Sequence, residues 1–365
     1  MLRDANGTPL PQRFGPYVLF DRIGQGGMAE IFLGRTFTRL GAPRLVAVKR
    51  ILAHLSADER FGKMLIAEAK LSAPLRHANI VQVYDLGRID GQLHIDMEYV
   101  EGLDLHRLLR LCTRRRIPFP PRYVFFLLEE ACRGLAHAHR ATADDGRPLH
   151  IVHRDLSPTN VLVSFEGEVK LCDFGIARAA AETLPPDETV AETETLRGKF
   201  AYMSPEQARG DAVDQRADIF GFGILAWELL AGRRLYKGRH EIETLRLAQQ
   251  AAVPPLPRRG HPWEDAAQTL LDRALARRPA DRFPDADALH DAIRDIVLGF
   301  DIHCSQLEFA EFLRTHFAEE ILPLRRERER ALDWIAPPRL SRGPGGDGPP
   351  NGIERRSPRP TPPTL

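Results

Sequence analysis

The chain has 365 residues, 43% of them hydrophobic and 28% charged. This is the balance of a globular protein with a sizeable core, long enough for two domains or one large two-lobed unit with a tail. Lys plus Arg number 51 against 50 Asp plus Glu, a net charge of +1, which argues against nucleic-acid binding through bulk charge.

The four cysteines, Cys112, Cys132, Cys172 and Cys304, form no CxxC pair, so neither a zinc site nor a disulfide scaffold is expected, and the thiols read as small buried hydrophobes in a reducing compartment. Met1 to Pro16 is polar and lacks the apolar stretch of a secretion signal. The longest near-apolar run, Ile219 to Ala231, is 13 residues interrupted by Glu228, too short to span a bilayer and suited to a buried helix. The expectation is a cytoplasmic protein without membrane association.

In chain order, residues 1–16 form an extension. From Tyr17 to about Val100, the runs YVLFDRIG, EIFLGRTF, RLVAVKRI, IVQVYDLGRI and QLHIDMEYV read as strands between Gly and Pro punctuation, the last two joined by a turn at Asp90-Gly91. Asp58 to Leu75 has helical spacing. From Leu103 on, helices are predicted over Tyr123–Ala141, Ala217–Leu230, Thr244–Ala251, Trp263–Ala276 and Asp285–Val297, interrupted by a strand-rich island from Ile151 to Phe174. A small sheet followed by helical bulk is an α+β arrangement of two unequal lobes. Ser305 to Trp334 is a further helix with an apolar stripe of Phe309, Phe312, Leu313, Phe317 and Ile321, followed by the charged run RRERER. Such a stripe is expected to cap the helical bulk rather than bind a partner. Residues 336–365 hold nine Pro and five Gly and are expected to be disordered.

Three groups of residues carry chemistry. Gly24-Gln25-Gly26-Gly27-Met28-Ala29 is a glycine turn followed by strand-like EIFLGR. A dinucleotide fingerprint would need a helix there, whereas a turn between strands lets backbone N–H groups fold over phosphates. Val46-Ala47-Val48-Lys49 places a lysine on a strand, a point charge for phosphate oxygens, and Glu68 on the following helix is its natural ion-pair partner. His153-Arg154-Asp155-Leu156-Ser157-Pro158-Thr159-Asn160 is then followed by Asp173-Phe174-Gly175.

With these motifs in order, and Met203-Ser204-Pro205-Glu206 after them, residues 17–298 resemble the eukaryotic-like (Hanks-type) protein kinase family, and closely the bacterial serine/threonine kinases. The resemblance implies a bilobal kinase fold. Its N-lobe (17–100) is a small antiparallel sheet with one regulatory helix, and its C-lobe (101–298) is larger and mainly helical, with a helical extension over 299–335. It implies an ATP- and Mg²⁺-dependent enzyme phosphorylating Ser/Thr hydroxyls of protein substrates. By resemblance, Asp155 orients and deprotonates the acceptor hydroxyl, Asn160 and Asp173 hold Mg²⁺, and Lys49, fixed by Glu68, binds the α- and β-phosphates. Residues 24–29 cover the phosphates. Ile23, Ile31, Ala47 and Leu162 wall the adenine slot with Met97 as gatekeeper, Glu98 and Val100 offer hinge backbone groups, and Asp104 reaches the ribose. Asp218 anchors the catalytic loop, and Arg282 pairs with Glu206.

Three positions depart from the family pattern: Ala29 replaces the third glycine, Ser157 stands where most Ser/Thr kinases carry lysine, and Lys199 replaces the threonine of a Gly-Thr pair. The last two are expected to be one swap, Lys199 supplying the ammonium that Ser157 lacks. Arg154 implies activation by an acidic group, with Thr183, Thr189, Thr193 and Thr195 as candidate phosphosites. The acids Glu182, Asp187, Glu188, Glu192 and Glu194 compete as constitutive substitutes. Cys172 reads as a packing residue rather than a redox switch. The competing functions are a pseudokinase scaffold, a small-molecule phosphotransferase, which the long segment ending in SPE disfavours, and a tyrosine kinase, which Ser157-Pro158 disfavours.

Overall fold

The computed structural model describes residues 4, 9–38, 40–143, 145–174 and 199–333. The side chains of Glu68 and Lys199, the candidate phosphosites Thr183, Thr189, Thr193 and Thr195, and the proline-rich segment 336–365 lie outside the described residues.

The N-lobe is a six-stranded antiparallel sheet of β1 (Gln12–Phe14), β2 (Tyr17–Gln25), β3 (Ala29–Phe37), β4 (Pro43–Ile51), β5 (Val83–Ile89) and β6 (Gln92–Glu98), in the order β1-β2-β3-β4-β6-β5. The two-residue period of β4 explains its continuous apolar run. Val46 and Val48 join one cluster with Leu10, Phe14, Leu19 and Phe32. Ala47 and Ile51 join another with Phe61, Leu65 and Met97. Both faces are therefore buried. Leu10 and β1, which sequence reading set apart as an extension, help cover one of them, and Asp4 is tied in through Arg50 at 2.9 Å. The β5–β6 turn is Asp90-Gly91, with φ of 47° and 80°, a hairpin turn that suits Gly and Asp.

A short helix α1 (Ala53–Ala57) precedes α2 (Glu59–Ser72). The α2 helix begins where Asp58 accepts the Arg60 and Phe61 N–H groups at 2.8 and 3.2 Å, an N-cap worth about 1 kcal/mol.

The C-lobe holds α3 (Leu105–Arg115), α4 (Pro121–His139), α5 (Pro205–Arg209), α6 (Arg216–Ala231), α7 (Glu241–Gln250), α8 (Glu264–Ala274), α9 (Ala286–Gly299) and α10 (Gln306–Asp333), with a small sheet β7 (Gly102–Asp104), β8 (Val161–Ser164) and β9 (Val169–Leu171) in that order. The α6 helix is apolar around most of its circumference because it is buried around most of it, from Ala217 to Trp227. Gly102 must lack a side chain, since a Cβ there would lie 1.9 Å from the Val163 carbonyl oxygen. The apolar stripe of α10 packs on α4: Phe309 and Phe312 lie 5.4 and 4.5 Å from the Tyr123 ring, and Phe309, Leu313, Phe317 and Ile321 are buried. The helix is kinked at Phe317, whose φ and ψ of −127° and 25° are not helical.

Candidate active site

Lys49 lies on the β4 strand between Val48 and Arg50 and is almost fully buried, at 7% exposure. Its Nζ sits 2.7 Å from Asp173 Oδ1, just beyond the end of β9. Sequence reading paired Lys49 with Glu68. Backbone placement puts Glu68 on α2, and the contact made by Lys49 among the described side chains is with Asp173. Asp173 has φ of 61°, a left-handed conformation that Asp tolerates better than most residues.

The loop before β8 is shaped from beneath. Asp218, in the first turn of α6 and 2% exposed, accepts the backbone N–H of His153 through Oδ2 and of Arg154 through Oδ1, both at 2.7 Å, and also meets His139 Nε2 at 2.8 Å. Arg154 is thereby held at φ of 65°, while Gln207 Nε2 donates to its carbonyl at 3.0 Å. His153 Nδ1 accepts the Asp155 N–H at 3.3 Å, and its Nε2 lies 3.0 Å from the Cys172 carbonyl oxygen. That pattern assigns the proton to Nε2. The His153 ring also packs on Phe174, with centroids 4.5 Å apart.

Asn160 links the loop to Cys172, the neighbour of Asp173. Its Nδ2 donates to the Asp155 carbonyl at 2.7 Å, and its carbonyl accepts the Cys172 N–H at 3.0 Å. Asp155 and Asn160 are each 8% exposed. Ser157 is buried, with its hydroxyl 2.8 Å from that of Thr159.

The predicted adenine walls converge. Ala29, Ala47 and Met97 share one apolar cluster, and Met28, Ile31, Val100, Leu162 and Cys172 pack against it. Ile23, near the end of β2, is 37% exposed. Gly24 and Gln25 pair with Ile31 and Glu30 across the strands, and Gly26 N–H closes the intervening turn, which also holds Gly27, on the Ala29 carbonyl at 2.9 Å. Behind Met97 lies a cavity of about 30 Å³, bounded by Ala69, Val81, Ile95, Asp173 and Phe174 among others. Burial pushes the Cys172 thiol well above its ordinary pKa, as fits a packing residue.

Two features of the linker between the lobes were not anticipated. Glu98 donates its N–H to the Gln82 carbonyl at 2.8 Å, and its carboxylate pairs with Lys170 of β9 at 3.0 Å. Asp104 caps α3 by accepting the Arg107 N–H at 2.8 Å, so one of its oxygens is already engaged. The spacing of Asp104 ahead of the leucine-rich run LHRLLRLC was the available signal.

Below the cleft, Arg282 and Glu206 form a two-pronged buried pair at 2.6 and 2.8 Å. Burial works against the Glu206 charge, but the bonds from Arg282, together with those from its own backbone N–H and Ser204, outweigh it and leave the carboxyl below its usual range. Lys199 begins the turn Lys199–Tyr202. Among the described residues no three His, Cys, Asp or Glu side chains gather into a metal cage. The Asp173 carboxylate and the Asn160 side-chain oxygen are nonetheless hard donors of the kind Mg²⁺ takes when phosphate oxygens complete its shell.

The protein kinase domain model matches residues 17–292. The chain is 39% identical over 318 residues to the tyrosine-protein kinase MasK of Myxococcus xanthus, covering 87% of this chain and 48% of that protein. It is 33% identical to the serine/threonine-protein kinase PrkC of Bacillus subtilis (79% and 41% covered) and 34% identical to PknB of Mycobacterium leprae (79% and 44%). It thus spans less than half the length of these relatives. The crystal structure of the Mycobacterium tuberculosis PknI kinase domain superposes with a TM-score of 0.56 at 28% identity, covering 79% of this chain and 98% of that one. A small curled sheet over a helical lobe, the kinase motifs in order and these likenesses together place the chain in the Hanks-type protein kinase family.

Proposed function

We propose that the chain is an ATP- and Mg²⁺-dependent kinase that transfers the γ-phosphoryl group of ATP to serine and threonine hydroxyls of protein substrates, its own activation segment (175–198) among them. One observation carries the reading: Lys49, Asp173, Asn160 and Asp155, from three separate stretches of chain, are linked at one cleft by contacts of 2.7 Å and by the Cys172–Asn160 bond. A solvated lysine or a structural aspartate has no need of such company, and a pseudokinase has no need of the whole set.

Phosphoryl transfer asks a protein for positioning and charge neutralisation. Lys49 is placed to hold α- and β-phosphate oxygens once nucleotide draws it from Asp173. Asp173 and Asn160 are the residues that would hold Mg²⁺, which supplies neutralisation of phosphate charge. Asp155 orients the acceptor hydroxyl. As that oxygen bonds to the γ-phosphorus and the bond to the ADP oxygen breaks, Asp155 takes the hydroxyl proton. Ile23, Ile31, Ala47, Met97 and Leu162 hold the adenine, residues 24–29 cover the phosphates, and Glu98 and Val100 offer backbone groups. Lys199 supplies the charge near the γ-phosphate that Ser157 does not. A requirement for ATP places the reaction in the cytoplasm. No described helix is long and apolar enough to cross a membrane.

Serine/threonine acceptors are supported by the Ser157-Pro158 loop and by the names of PrkC and PknB. A tyrosine acceptor is the second reading, favoured by the name of MasK and by Lys199 in place of the usual threonine. The apolar stripe of α10 is covered by α4, so a regulatory partner using that helix would meet its charged outer face. The test is autophosphorylation with γ-labelled ATP, followed by acid hydrolysis. Phosphoserine or phosphothreonine is expected, and label recovered only as phosphotyrosine overturns the acceptor assignment.

A further inference from the structure

Beyond Ile321 and Leu324, which still pack on the C-lobe core, α10 runs past the segment joining the lobes. Glu101, the residue after Val100, is held there from two directions. Its backbone carbonyl accepts the Phe165 N–H at 3.0 Å. Its side chain, only 18% exposed, accepts Arg325 Nε at 3.2 Å and Arg328 at 2.7 Å. Arg325 also reaches Glu166 in the β8–β9 turn at 2.9 Å, and the second Glu166 oxygen takes Arg314 at 3.1 Å. Further on, Ala331 is buried and the helix lies against β3 and β4 of the N-lobe. There burial raises the Asp21 carboxyl on β2 above its ordinary range, and the nearby Arg330 charge offsets this in part. One helix is thus fixed to the C-lobe by its apolar stripe, to the N-lobe by its last turns, and to the linker by two arginines.

We propose that α10 is a brace across the hinge, and that Arg325 and Arg328 are positioning residues for nucleotide binding. By holding Glu101 they hold the Glu98–Val100 backbone at the spacing that receives adenine. This rests on the reading of the cleft as the ATP site. Lobe opening concentrates backbone rotation in a few linker residues, and a helix bonded on both sides of the linker resists it. Single exposed ion pairs contribute little. Here two arginines converge on one half-buried carboxylate and one of them, Arg325, also reaches Glu166, so reversing both sets two new carboxylates against two existing ones.

The experiment uses the full chain and three proteins: wild type, Arg325→Glu with Arg328→Glu, and that double variant with Glu101→Arg. The double variant is expected to raise the KM for ATP by about 5- to 30-fold, the factor that 1–2 kcal/mol represents, with kcat within about twofold. Its amides at 98–103 should exchange hydrogen faster without nucleotide, and the added Glu101→Arg should recover most of both effects. Unchanged exchange at 98–103 overturns the brace. So does a loss of activity that tracks a lower melting temperature and is not recovered by Glu101→Arg, because a helix that merely caps the lobe gives that result. If no protein binds magnesium nucleotide, the kinase reading fails, while hydrogen exchange still decides the brace.

Discussion

Asp218→Asn tests how the catalytic loop is held. In the wild type the two carboxylate oxygens accept the His153 and Arg154 N–H groups at 2.7 Å each, at a site 2% exposed. An asparagine keeps the shape but offers one acceptor. Whichever way its amide is turned, one buried backbone N–H faces another donor. An orphaned buried N–H costs about 1–3 kcal/mol, and the surviving bond loses its charge assistance, for a total of about 2–4 kcal/mol. Arg154 enlarges the effect on activity, because its φ of 65° is held against a strain of order 1–3 kcal/mol whose release offsets part of that stability cost. Releasing it moves the adjacent Asp155, and a displacement near 1 Å can cost about 100-fold in rate. The variant is therefore expected to melt lower by roughly 5 °C and to lose kcat by about 30- to 100-fold, with its KM for ATP within about threefold, since Lys49 and the adenine walls lie on other elements. Calorimetry and steady-state kinetics on the same preparation check both. A variant matching wild type in melting temperature and kcat would refute the argument that Asp218 shapes the loop.

Arg282→Ala leaves the Glu206 carboxylate buried without its two-pronged partner and should cost about 3–5 kcal/mol by chemical denaturation. Because the Glu206 carboxyl is depressed on folding, wild-type stability from this pair is complete above the unfolded value of 4.5 and is lost as pH falls through the lower folded value. The difference between wild type and Arg282→Ala should narrow in that acid range. Lys199→Ala should lower kcat at least tenfold while changing the KM for ATP little, and an unchanged kcat would remove Lys199 from the γ-phosphate. Cys172, raised by burial, should alkylate far more slowly at pH 7.5 than a free thiol, and fast labelling would contradict its packing role.

The parts of the site legible in the sequence are those where one residue type performs one job at a fixed place in the chain. Asp218 and Arg282 are of this kind: a buried carboxylate under two N–H groups, and a guanidinium matched to Glu206, have few substitutes. The strand carrying Lys49 was legible from its β-branched run, and α2 from the helical spacing that follows Asp58. The elements missed are those whose signal is short or whose partner is distant. Three-residue β1 and five-residue α1 are below the length at which periodicity speaks. The α3 helix was overlooked although Asp104 marks its start. No spacing rule joins Arg325 to Glu101, 224 positions earlier, or Lys170 to Glu98, because such contacts exist only once both lobes have folded. The same holds for the Lys49–Asp173 contact, for which sequence offered a local partner, Glu68.

The most direct measurement compares wild type with Asp155→Asn for transfer of label from γ-labelled ATP in the presence of Mg²⁺, with nucleotide affinity determined for both. Retained affinity in both proteins, with transfer in the wild type and a loss of 100-fold or more in the variant, is the predicted result. Equal transfer by the two proteins, or none from a wild type that holds magnesium nucleotide, would contradict the account.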